Sequence, residues 1–125
     1  MLYRCMEYAV RREADYLVVR MGGAPSEQEI RAMLREVQAQ RAGTRGALFE
    51  LQVDFGLNLT STKELVSSLP ALGFPPDYRL ALLLLDDAAA RSAEFAEDVA
   101  FNRGIGLRVF RERAAAERWI GGQDA

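Results

Sequence analysis

Arg79-Leu-Ala-Leu-Leu-Leu-Leu85 is continuously apolar from Leu80 onward. A strand with one face in water alternates polar and apolar residues. An unbroken run this short is expected of a strand covered on both faces, as in a parallel sheet with helices packed against it. Pro75-Pro76-Asp77 sets a turn before the run, and Asp86 or Asp87 after it is placed to cap a helix.

Working outward, the pattern repeats on both sides. In the helix after Asp87, Phe95, Ala96, Val99 and Ala100 share one side, and Gly104 stops it. Gly106 to Phe110 reads as a strand, followed by a short helix carrying Ala115, Ala116, Trp119 and Ile120. Upstream, Ala47 to Val53 reads as a strand. A helix follows with a Leu65, Leu69 and Leu72 stripe, stressed at Pro70. Ser61 with Glu64 has capping-box spacing, and so does Ser26 with Glu29. After Ser26, Ile30, Met33, Leu34 and Val37 fall on one helical face, and Gly43 is the expected end of that helix. Tyr3 to Arg11 and Tyr16 to Met21 read as two strands joined through Arg12-Arg-Glu-Ala-Asp15, wherein a hairpin is expected.

The order is ββαβαβαβα. It predicts an α/β fold: a mostly parallel mixed sheet of about five strands, about four helices, and right-handed crossovers. The opening hairpin adds an antiparallel strand at one edge. At 125 residues without a linker or repeat, residues 1–125 are read as one domain. An exposed edge strand such as Tyr3 to Arg11, with Met6, Tyr8 and Val10 on one face, calls for protection or a partner. A homodimer is the expectation.

Composition narrows the function classes. There is no histidine, which removes Ser-His-Asp and Cys-His nucleophiles and His-ligated zinc. Cys5 is the one cysteine, so no internal disulfide forms, and it has no evident activating base. No phosphate-binding glycine loop of the GxxxxGK[ST] type is present. The chain is expected to be non-enzymatic and to need no cofactor. Residues 1–7 lack the apolar core of a signal peptide, and the six-residue run Leu80 to Leu85 falls short of the roughly 20 needed to span a bilayer. A cytoplasmic location without a membrane span is expected. The one basic concentration, Arg103 to Arg118, is broken by Glu112 and Glu117 and lacks stacking aromatics, so nucleic acid is not an expected partner.

Three constellations bear on function. Asp54 follows the third strand, and Asp86 and Asp87 follow the fourth. If the strands are neighbours, three carboxylates meet at one rim and form a weak candidate Mg²⁺ site; turn and capping roles are the simpler account. Glu50 stands inside a strand pattern, either facing solvent or buried with a partner. Thr60, Ser61 and Thr62 place three hydroxyls at a helix start, where Ser61 is read as a cap.

The element order resembles that of the STAS fold of SpoIIAA-like anti-sigma-factor antagonists. The closing segment Asn102-Arg-Gly-Ile-Gly-Leu-Arg-Val-Phe110, with Ala116-Glu-Arg-Trp-Ile120, is similar to the end of bacterial STAS/SEC14-type proteins. The resemblance implies a protein-interaction or regulatory domain with a protein partner. In that family a serine in an Asp-Ser-Ser-Gly segment is phosphorylated to switch binding. The equivalent segment here, Leu59 to Glu64, offers Thr60, Ser61 and Thr62 but neither the aspartate nor the glycine. The family also tends to carry an acidic residue where Glu50 stands, which implies a structural role for it. The SEC14 side of the resemblance implies an alternative: a carrier of a lipophilic small molecule, with Phe55, Leu57, Leu59, Leu72, Phe74 and Phe101 lining its pocket.

Overall fold

A computed structural model describes residues 6–23, 26–52 and 58–122. Its elements are β1 (Met6–Glu13), β2 (Tyr16–Gly23), α1 (Glu27–Ala39), β3 (Gly46–Leu51), α2 (Leu59–Ser67), β4 (Arg79–Leu84), α3 (Ala90–Asn102), β5 (Leu107–Phe110) and α4 (Arg113–Ile120). They form a mixed five-stranded sheet with strand order β1-β2-β3-β4-β5. β1 is antiparallel to β2, and the pairings from β2 to β5 are parallel.

The strand order matches the chain order, and this decides where the helices lie. Right-handed crossovers that always step in one direction place their helices on one face. Accordingly Val37 of α1, Leu65 of α2 and Ala96 of α3 share one core with Val19, Phe49 and Leu80. After β5 the sheet has no further neighbour, and the chain folds back across the other face. There α4 supplies Ala116, Trp119 and Ile120 over Val18, Leu48, Ala81 and Leu83. Residues of β3 are therefore buried on both sides along its length, Glu50 included.

Several boundaries differ from the sequence expectation. β1 runs on through Arg12 and Glu13, because the hairpin turns on Ala14 and Asp15 alone, with Ala14 at φ 48°. The polar residues assigned to a loop fit an edge strand whose sides face water: Ala9, Arg11 and Glu13 are all exposed. Tyr3 and Arg4, expected to open this strand, lie outside the described residues. The Ser26–Glu29 capping box forms with both reciprocal bonds, but α1 stops at Ala39 rather than at Gly43. Gly43 instead supplies a positive φ of 80° in the turn that follows, closed by the Thr44 amide on the Arg41 carbonyl at 2.9 Å. α2 ends at Ser67, so Pro70 sits in the succeeding turns and strains no helix.

Asp86 and Asp87 do not cap α3. Its N-cap is Ala89, with no side-chain bond. Asp86 accepts the Ala88 amide at 2.8 Å within the turn, and Asp87 pairs with Arg111 at 2.7 Å. Two intervening residues move the helix start beyond the reach of either carboxylate. Gly46 holds β3 close to β4: a Cβ there would meet the Arg79 carbonyl oxygen at 2.2 Å. Among the described residues no helix is long and apolar enough to cross a membrane.

Candidate functional site

Local hydrogen bonding decides what the hydroxyls at the start of α2 are free to do. The N-cap is Asn58, not Ser61: Asn58 Oδ1 accepts the Ser61 amide at 2.7 Å. Ser61 is thereby three residues into the helix, where its hydroxyl has no capping role. Among the described residues that hydroxyl makes no hydrogen bond. Thr62 is different: it is buried and its Oγ1 donates to the Asn58 carbonyl at 3.0 Å. Thr60 is exposed, Ser61 is half-buried, and Leu59 beside them is 59% exposed. The expected trio thus separates into two accessible hydroxyls and one internal one. Asn58→Ala is expected to cost about 1 kcal/mol, the usual worth of such a cap, whereas Ser61→Ala is expected to leave stability nearly unchanged. Urea unfolding of both variants reads the difference.

Among the described residues no group of three or more candidate metal ligands occurs. β3 and β4 are neighbours, as the idea required. Asp86 and Asp87, however, are turned to the partners described above, and Asp54 lies outside the described residues.

Between the three-helix layer and the sheet lies an apolar cavity of ≈ 90 Å³. Met21, Ile30, Phe49, Leu65, Ala93 and Ala96 contribute to its wall. Of the residues expected to line a pocket, the four that are described do not contribute to this wall. Phe101 is 84% exposed and Leu59 faces solvent. Leu72 packs half-buried at the core margin, and Phe74 is buried with its ring 5.9 Å from that of Tyr78. Phe55 and Leu57 lie outside the described residues. The signal missed was the small pair Ala93 and Ala96 on one face of α3, opposite the larger residues of the sheet.

On the opposite face, Glu50 is 2% exposed and has two cationic partners. Arg20 Nε lies 3.0 Å from its Oε1, and Arg113 at the start of α4 engages its Oε2. A carboxylate this buried is stable only when paired, and here the pairing also fastens α4 to the sheet. Next to it the Tyr16 hydroxyl donates to Glu117 at 2.7 Å. Burial, and then that hydrogen bond to a carboxylate, push the Tyr16 phenol up to about 12. The sign follows from linkage. Above pH ~10 the unfolded tyrosine loses its proton while the folded one keeps it. Stability is therefore complete below that pH and falls as pH rises towards 12, the folded value. Tyr8 and Tyr78 are also shifted upward and act in the same direction. Denaturant melts from pH 8 upward are expected to show this decline, and Tyr16→Phe to flatten it.

The chain matches no family model, and no curated protein resembles it at a significant level.

Proposed function

We propose that this chain is a non-enzymatic, SpoIIAA-like STAS domain that regulates a partner protein through the first turn of α2. The observation that carries the reading is the hydroxyl of Ser61, which makes no hydrogen bond among the described residues, Asn58 having taken the capping role. Thr60 and Leu59 stand exposed beside it. A phosphate placed there meets the positive end of a helix and adds charge and acceptors to a surface with no acidic residue in its first turn. The element order, and the helix end, strand and closing helix over Asn102 to Ile120, support the same reading.

The test compares Ser61→Ala and Ser61→Asp, each expressed in the native cells and isolated with its bound proteins. One partner should remain with Ser61→Ala and dissociate from Ser61→Asp, or the reverse. Identical recovery with both, and with Thr60→Asp, would contradict the proposal.

The cavity favours a second reading, a carrier of a small apolar ligand. An engineered apolar cavity of ~150 Å³ admits benzene; at ≈ 90 Å³ this one suits a shorter alkyl group. Ala96→Leu fills it from α3. Loss of a co-purifying small molecule in that variant supports the carrier, and identical small-molecule content in both proteins rejects it.

A further inference from the structure

The two edges of the sheet are finished differently. At the β5 edge the Leu80 amide donates to the Gly106 carbonyl at 2.7 Å, so alternation turns the backbone of Leu107 and Val109 away from β4. Glu97 of α3 reaches that side, and its carboxylate accepts the Val109 amide at 2.8 Å. The Ile105 carbonyl takes the Leu107 amide at 3.0 Å. A four-residue strand with its outward amides occupied offers little template to another chain.

β1 lacks such cover. It runs for eight residues, paired with β2 in one unbroken register. At the start of β2 the Asp15 carbonyl takes the Arg45 amide at 2.7 Å from the β3 side. Alternation then aims Tyr16, Val18 and Arg20 at their β1 partners Glu13, Arg11 and Ala9. The intervening Tyr8, Val10 and Arg12 turn their amides and carbonyls outward. Among the described residues nothing bonds to these groups.

The charges that could guard this edge are spent within the chain. Arg12 folds back over the end of α1, donating to the Gln40 and Ala42 carbonyls at 3.3 Å and 3.0 Å. Arg11 pairs with Glu13 at 3.2 Å. With two arginines and two glutamates, β1 is neutral and does not repel a copy of itself.

The strand is also complementary to itself. A second copy running antiparallel about Ala9 brings Tyr8 opposite Val10 and the register position of Glu7 opposite Arg11, each twice by symmetry. Tyr8 is 37% exposed and Val10 is half-buried, so their pairing covers apolar surface that one copy leaves open. Moving the axis to Val10 would set Glu7 opposite Glu13, replacing attraction by like-charge repulsion.

We propose that β1 is a self-association edge: two copies pair their β1 strands antiparallel about Ala9 and join two five-stranded sheets into one. The proposal goes beyond the regulatory reading and does not depend on it, because β1 takes no part in the first turn of α2.

The test is sedimentation equilibrium of the full chain over a range of concentrations, joined to amide hydrogen exchange. Wild type is expected to reach twice the chain mass, with exchange at Tyr8, Val10 and Arg12 slowing as the dimer forms. Arg11→Glu is expected to weaken the dimer about tenfold, since both symmetry-related pairs turn repulsive. Glu7→Arg combined with Arg11→Glu exchanges the charges and should restore it. If Arg11→Glu alters the unfolding midpoint, the concentration dependence of the three wild-type amides decides. A monomer at every concentration would overturn the proposal; slow exchange at the three amides in that monomer would place another segment of the chain on the edge. A dimer indifferent to Arg11→Glu, or not restored by the exchange of charges, would overturn it as well.

Discussion

Trp119→Ala is expected to destabilise the domain by about 3–5 kcal/mol, the usual range for a buried tryptophan. Three observations make this the most sensitive side chain on the α4 face. Trp119 is 7% exposed and packs against Phe110 with ring centroids 5.6 Å apart. The guanidiniums of Arg79 and Arg108 lie 5.2 Å and 5.7 Å from the centre of its ring, so its faces also carry cation–π contacts. Finally, α4 is eight residues long and is the one helix over this side of the sheet among the described residues. A helix so short has little stability of its own, so without its largest anchor it should detach and expose Val18, Leu48 and Leu83. Urea unfolding gives the loss, and binding of a hydrophobic dye gives the exposed surface. A change below about 1 kcal/mol would show that other contacts hold α4.

The second large effect concerns Glu50. Replacing both Arg20 and Arg113 by Met leaves a carboxylate that is 2% exposed without either partner. Stranding one member of a buried ion pair costs about 3–5 kcal/mol, and that loss is expected here. Each single variant should lose less, because the remaining arginine still faces the carboxylate. Adding Glu50→Leu to the double variant is expected to restore most of the stability, since apolar replacement of a whole buried ion pair is often neutral. Thermal and urea unfolding of the set checks the pattern. If the triple variant is no more stable than the double, the stranded charge is not the cause of the loss.

These two effects show what the sequence could and could not reveal. Periodicity gave the element order completely, because nearly every buried stripe is carried by residues whose spacing has one geometric meaning. Ile30, Met33, Leu34 and Val37 fit a helix and no strand. Leu80 to Leu84 fit a strand covered on both sides, whereas Leu85, read with them, lies beyond its end and is exposed. Glu50 stood out for the same reason, as a charge inside an apolar strand, and it proved buried and paired. Its partners were not legible, for Arg20 and Arg113 lie 30 and 63 positions away along the chain.

The caps were harder. Asn58-x-x-Ser61 and Ser61-x-x-Glu64 both satisfy the spacing of a cap and its receiving amide, and they overlap by one residue. Local spacing does not choose between them; α2 begins at Leu59, which makes Asn58 the cap. The same limit explains Asp86 and Asp87. Two good capping residues precede the helix, yet the turn uses one and Arg111 takes the other. The cavity was illegible because it depends on what small side chains leave unfilled. Phe74 and Phe101 looked equally apolar in sequence, but one is buried and the other almost fully exposed.

A cleft lined by Arg41, Arg45 and Arg79 was hidden for a related reason: the three are scattered along the sequence and converge because β3 and β4 begin side by side. The path from β5 back across the sheet then brings the end of α4 to the same place.

The central claim is that Ser61 and Thr60 are left for regulation rather than structure. Its most direct test is native mass spectrometry of the protein isolated from its own cells, before and after phosphatase treatment. The expected result is a population heavier by one phosphate, mapped to Ser61 or Thr60 and removed by the phosphatase. Uniformly unmodified protein under every growth condition, with any extra mass instead non-covalent and lost in Ala96→Leu, would contradict it and leave the carrier reading in its place.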